Sequence, residues 1–144
     1  MTVSPDPARV EAALVLDPSW IAELRARWMA LVQTAVWDDP QMRRLGDAPR
    51  LRKRLLELGE RLKSLTAGRG WIPHPRERLK SALATAAGVR ESLAAVDSLL
   101  EGLSPGAAGD GLREQFSSLR LTVEAELPAR EQAWAALLDS QLDG

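Results

Sequence analysis

The chain has no cysteine, no tyrosine, one phenylalanine and one histidine, and each scarcity removes a class of chemistry. Without cysteine there are no disulfides, thiolate nucleophiles, iron–sulfur clusters or zinc–thiolate sites, and a reducing compartment, the cytoplasm, is the expected location. Long apolar runs are also missing. Stretches such as Ala12 to Leu16 and Trp134 to Leu138 fall far short of the roughly 20 residues that span a bilayer, so no membrane association is expected. Residues 1 to 7 are proline-rich and lack Lys and Arg, which is not how a secretory signal begins.

The histidine, His74, stands between Pro73 and Pro75 with no accompanying Cys or Ser motif. General-base or nucleophilic chemistry requires such a partner, so His74 is expected to be a loop residue. Glu-x-x-His and His-rich signatures are absent, which removes the ligand sets of di-iron bundles and zinc peptidases. Asp38-Asp39 fits a helix start, where carboxylates satisfy free amides. Glu124 and Glu126 point from different helical faces. Gly68-Arg69-Gly70 has neither the spacing nor the preceding strand of a phosphate loop. No catalytic residue, metal site or cofactor is assigned, and a non-enzymatic protein is expected.

What the chain does have is alanine, leucine and charge. Apolar residues recur every three or four positions, alternating patterns are scarce, and an all-α fold follows. Its 144 residues fit one domain, which buries roughly two-thirds of the surface its unfolded chain exposes. Asp6-Pro7, Asp17-Pro18 and Asp39-Pro40 each put a side-chain acceptor at an N-cap and a fixed φ at the first helical position. They predict a short helix over 7–16, a longer one over 18–37 and a helical turn or two over 40–45. Leu51, Leu55, Leu58, Leu62 and Leu65 form a seam of alternating four- and three-residue steps, suited either to the internal core or to a homodimer. A helix of nearly 30 residues is predicted from Pro75 to about Leu103. Beyond it, Leu112 to Leu142 form one helix kinked at Pro128 or two helices meeting there. Loops are expected near 38–49, 67–75 and 104–111, with a mobile N-terminus over 1–6. The expected architecture is an up-down four-helix-type bundle with one or two extra short N-terminal helices.

Five tryptophans accompany the single phenylalanine. Trp20, Trp28 and Trp134 fall in phase with Leu or Ile neighbours and are expected in the core. Trp37 and Trp71 lie at a helix end and in a loop, and are the surface candidates.

Charge is the most informative feature. Residues 1–42 carry three Lys/Arg against six acids, residues 43–80 twelve against four, and residues 81–144 four against ten. A total of −1 thus conceals a basic middle between acidic ends. Arg43, Arg44, Arg50, Arg52, Lys53 and Arg54 are opposed locally only by Asp47, and Arg69, Arg76 and Arg78 flank Trp71 further on. Three roles are open to these residues. They form a solvated face or pair with the acidic C-terminal helix through Glu124, Glu126, Glu131 and Asp139. They dock an acidic protein, with Trp or Leu as anchors. Or they bind nucleic-acid phosphates, for which Arg offers bidentate forks. No base-reading module accompanies them. The expected function is an interaction or adaptor bundle, or an assembly subunit, docking a protein partner through the basic middle and open to homo-oligomerisation. The alternative is a ribonucleoprotein or DNA-complex subunit using the same residues on phosphates.

Overall fold

The structure is a computed structural model, and it describes residues 7–34, 48–102 and 107–140. Five helices account for nearly all of these: α1 (Pro7–Leu14), α2 (Pro18–Thr34), α3 (Ala48–Thr66), α4 (Pro75–Glu101) and α5 (Ala107–Asp139). No strand occurs among the described residues. The fold is all-α, with four long helices packed against one another.

Local chemistry sets the helix boundaries. The Asp17 carboxylate accepts a hydrogen bond from the Ser19 amide at 2.9 Å, and Pro18 supplies the first helical φ of α2. His74 stands at the N-cap of α4 in extended backbone, with Pro75 next, and its side chain makes no capping bond. Its place is that of a loop residue before a helix. The expected helix over 40–45 and most of the expected loop near 38–49 lie outside the described residues, as do residues 1–6.

The expected loop over 104–111 is shorter than predicted, because α5 is already helical at Ala107. Gly109 is buried, and a Cβ at Gly111 would lie only 3.5 Å from Thr34 Cγ2. The small residues that suggested a turn instead let the start of α5 pack closely on the end of α2. Pro128 lies inside α5, which continues past it to Asp139. Its ring nitrogen forfeits the bond to the Glu124 carbonyl, but packing on both sides holds the helix as one.

The cross-links show how neighbours run. Arg113 Nε donates to the Leu100 carbonyl at 3.0 Å, Arg120 meets Asp97 at 3.4 Å, and Arg90 meets Glu124 at 3.6 Å. Numbers rise along α5 as they fall along α4, so the pair is antiparallel. Trp20 Nε1 donates to the Thr122 carbonyl at 2.8 Å, while Thr34 faces Gly111, which makes α2 and α5 antiparallel too. Arg61 Nη1 donates to the Gly88 carbonyl at 2.7 Å and to Ser92 Oγ at 2.8 Å, and Arg69 bonds Thr85 and Ser81, giving the same relation between α3 and α4.

All five seam leucines of α3 are buried in one core with Val89, Leu93, Val96, Phe116, Leu119 and Val123. The seam therefore closes this chain's own core. Full burial of a leucine is worth about 1.5–3 kcal/mol relative to exposure, so a seam of this length is a major share of what holds α3. Trp20 and Trp134 are buried as expected, each with its indole N–H satisfied; Trp134 Nε1 donates to the Ala13 carbonyl at 2.8 Å. That bond fastens α1 across the end of α5.

Candidate functional site

The sequence α3 presents to solvent is dominated by cations: six Lys/Arg stand against two Glu between Ala48 and Thr66. Leucines occupy one side of the helix, so the charged residues are confined to the remainder. Arg50, Arg52 and Lys53 are exposed and make no hydrogen bond or ion pair with any described residue. Arg54 is exposed and meets Glu57 at 3.1 Å, three residues on; such surface pairs contribute little.

The acidic C-terminal helix does not neutralise this face. Helix α3 packs on α4 rather than on α5. Glu124 and Glu131 are instead engaged by Arg90 of α4. The hydrogen bond that Arg90 donates to Glu131 is the chief reason the Arg90 pKa rises above its ordinary value, partial burial opposing it. Of the roles open to the basic cluster, pairing with the acidic last helix is therefore not seen among the described residues: α4 stands between the two helices and supplies the partner itself.

Two of the arginines grouped with Trp71 are also held within the chain. Arg69 donates to the carbonyls of Ser64 (3.1 Å), Leu65 (3.4 Å) and Ala67 (3.2 Å) at the end of α3. It also reaches Ser81 Oγ at 3.4 Å and Thr85 Oγ1 at 3.0 Å on α4. The guanidinium fork thus caps α3 and ties it to α4, satisfying carbonyls that every helix end leaves open. Burial lowers its pKa from the ordinary arginine value. The Arg78 side chain is only 14% exposed, 3.5 Å from Glu11 of α1, and its Nε donates to the Ile72 carbonyl. It holds the α3–α4 connection against α1. Arg76 is exposed, and Trp71 is 80% exposed, but the arginines on either side of the loop that point inward leave Trp71 without the cationic cluster expected around it. Arg43, Arg44 and Trp37 lie outside the described residues.

A further feature of this face was not read from the sequence. Helices α2 and α3 are neighbours whose backbones scarcely approach each other, and the Trp28 indole fills part of the interval. A cavity of about 390 Å³ lies between them, lined by Ile21, Leu24, Trp28, Leu56, Gly59 and Leu62, with Arg25, Glu60 and Lys63 among its charged residues. A shallower depression on α3, bounded by Pro49, Arg52 and Lys53, shares Leu56 and Glu60 with it. At its other end the cavity shares Ile21 and Thr66 with a third hollow beside the α3–α4 connection. Together they make one trough along the length of α3. Leu56 is 60% exposed and Val32 39%.

The trough has a signature in spacing. Ile21, Arg25, Trp28 and Val32 on α2, and Arg52, Leu56, Gly59, Lys63 and Thr66 on α3, each follow steps of four and three and so share a face. Trp20 and Trp28 were both expected in the core, and by spacing the α2 stripe from Trp20 to Val32 shares a single face. Instead it divides: Trp20, Leu24 and Leu31 are buried, whereas Ile21 and Trp28 are half-buried and Val32 is exposed. The visible clue is a hydrophobic stripe wider than one interface consumes.

Among the described residues, no group of three or more His, Asp or Glu side chains is placed to hold a metal ion. No helix among them is long and apolar enough to cross a membrane. Comparison with protein-family models, with curated proteins and with solved structures found no match.

Proposed function

We propose that the chain is a non-enzymatic interaction module, an adaptor or assembly subunit, that docks an acidic protein partner through the outward face of α3. The observation that carries this is the set Arg50, Arg52 and Lys53, exposed and without an ion pair among the described residues, on the helix that also exposes Leu56. Cations left unpaired beside an apolar side chain suit a surface that steers an acidic partner and then buries an anchor. The surrounding frame fits this use: we take it to be an up-down bundle of α2 to α5 with α1 across one end, a reading that the antiparallel pairs support, with α3 held by its leucine seam.

The same cations suit phosphates, so the experiment sets the two partners side by side. The full chain is titrated, at low and at raised salt, with a fluorescent glutamate 20-mer and with a 20-base-pair duplex. Saturable binding of the polyglutamate with little binding of the duplex supports the proposal. Tighter binding of the duplex, with a log–log salt slope near about −5 for six phosphate contacts, assigns the face to nucleic acid and overturns it.

A further inference from the structure

We infer that the trough between α2 and α3 is the specificity element of this surface, and that its occupant is an acidic amphipathic helix of a partner protein. The inference rests on the proposed docking role of α3 and names the partner's chemistry. Three observations lead to it.

The trough has walls of the right kind. Two helices standing apart with apolar side chains between them form the groove into which the apolar face of a third helix can pack. Leu56 and Val32 are exposed, and the half-buried Trp28 spans between the walls, its indole seated in the place that Gly59 leaves by having no side chain.

The trough has a sign. The two stripes that face each other carry Arg25, Arg52 and Lys63, and no carboxylate. The negative groups nearby are Glu11, which lines the third hollow and meets Arg78, Glu57, which meets Arg54, and Glu60, which lines the trough from α3 itself. Arg61 is turned toward α4, where it bonds Gly88 and Ser92 and lies 3.9 Å from Glu91. Counting Arg25, Arg52, Lys53 and Lys63 against Glu60 leaves the walls and rim positive. A basic helix would meet like charge on both walls, while Glu or Asp flanking an apolar stripe would meet opposite charge.

The trough has a length. Its three hollows follow α3 throughout, and a helix of 19 residues is roughly 28 Å long. That accommodates apolar anchors at several successive turns, whereas a single inserted side chain would use one hollow only.

The test uses three labelled helical peptides of about 18 residues, a length that matches α3: one with Leu at three- and four-residue spacing and Glu elsewhere, one with those Leu replaced by Ala, and one with Glu replaced by Lys. Anisotropy titrations are run on the full chain, on Leu56→Glu and on Arg25→Glu/Lys63→Glu. Both variants alter solvent-exposed positions, and their melting curves are recorded alongside. The inference expects the Leu/Glu peptide to bind at least about tenfold more tightly than the Ala/Glu peptide, as burial of two or more leucines implies. It expects Leu56→Glu to erase that difference, the double charge reversal to weaken the Leu/Glu peptide, and the Lys peptide not to bind. Should Leu56→Glu not fold, the double reversal carries the test. Equal binding of the Leu and Ala peptides, still weakened by Arg52→Glu/Lys53→Glu, overturns the trough and leaves the basic face standing. No binding of any acidic peptide overturns both. Concentration-dependent dimerisation that Leu56→Glu abolishes assigns the trough to a second copy of this chain and also overturns the inference.

Discussion

The indole of Trp28 occupies the place that a side chain at Gly59 would take: a Cβ built there would stand 2.5 Å from Trp28 Cζ2 and 3.0 Å from Cε2. An interior helix position ordinarily prefers Ala over Gly by about 0.5–1 kcal/mol. Here the contact reverses the preference, since a rigid ring pressed against α3 cannot yield as a flexible chain end would. Gly59→Ala is expected to destabilise the fold by about 1–2 kcal/mol, overpacking outweighing propensity. In a Trp28→Ala background the same change should stabilise. Urea unfolding of the four proteins of this double-mutant cycle measures the coupling; a stabilising Gly59→Ala in the native background would contradict the packing described.

Arg69 provides a second prediction, because its fork serves three carbonyls and two hydroxyls at once. Arg69→Ala leaves the end of α3 uncapped and is expected to cost about 2–3 kcal/mol. Arg69→Lys should recover little, since an ammonium cannot span acceptors on two helices from one fixed plane. A midpoint of unfolding unchanged in either variant would remove the structural role and return Arg69 to the exposed set.

Trp134 joins the first helix to the last. Trp134→Phe keeps an aromatic ring but deletes the donor to the Ala13 carbonyl and leaves a void where the larger, buried indole stood, at an expected cost of about 1–3 kcal/mol. Because that bond is at the end of α1, hydrogen exchange should accelerate first for the amides of residues 11–14, while the middle of α4 keeps its protection. Uniform acceleration across the chain would show that α1 is not separately fastened.

Arg90 joins α4 to α5 through Glu124 and Glu131. Its pKa is raised in the folded state, so its contribution is present below the unfolded arginine pKa and is lost only as pH rises through the higher folded value, in strong alkali. Arg90→Gln should therefore lower stability by about 1 kcal/mol or less for a part-exposed pair, by the same amount at pH 6 and pH 8, and less in high salt. Thermal melts at the two pH values check this; a deficit that grew between them would place the titration elsewhere.

Helix class and most boundaries were legible in the sequence because they rest on local chemistry. Asp17-Pro18 starts α2, Pro75 starts α4, and the leucine steps from Leu51 to Leu65 mark the side of α3 that enters the core. The start of α5 was misplaced because Gly and Ala at 107–111 signal a turn in isolation, and only the neighbouring end of α2 shows that their small size serves close packing. The partners of Arg69 and Arg78 were equally invisible: nothing in a linear charge count separates a guanidinium that caps a helix from one that faces water. Arg52 and Lys53 stand off the leucine seam and are exposed, but a linear charge count left open whether they face solvent or the acidic last helix. Leu56 stands beside Leu55 yet one helical step off that seam, and the trough it borders exists because α2 and α3 stand apart, a tertiary fact of which the sequence carries only the indirect sign of a stripe wider than one interface consumes.

The central claim, that the outward face of α3 is a docking surface and not a structural charge cluster, is tested most directly by Arg50→Glu/Arg52→Glu/Lys53→Glu. Exposed substitutions of this kind ordinarily move stability by less than about 0.5 kcal/mol each. One titration with the Leu/Glu peptide, paired with a melting curve, reads both consequences. The account predicts a folded protein with a near-native melting temperature and at least about tenfold weaker peptide binding. An unfolded protein, or a folded one whose binding is unchanged, would contradict it.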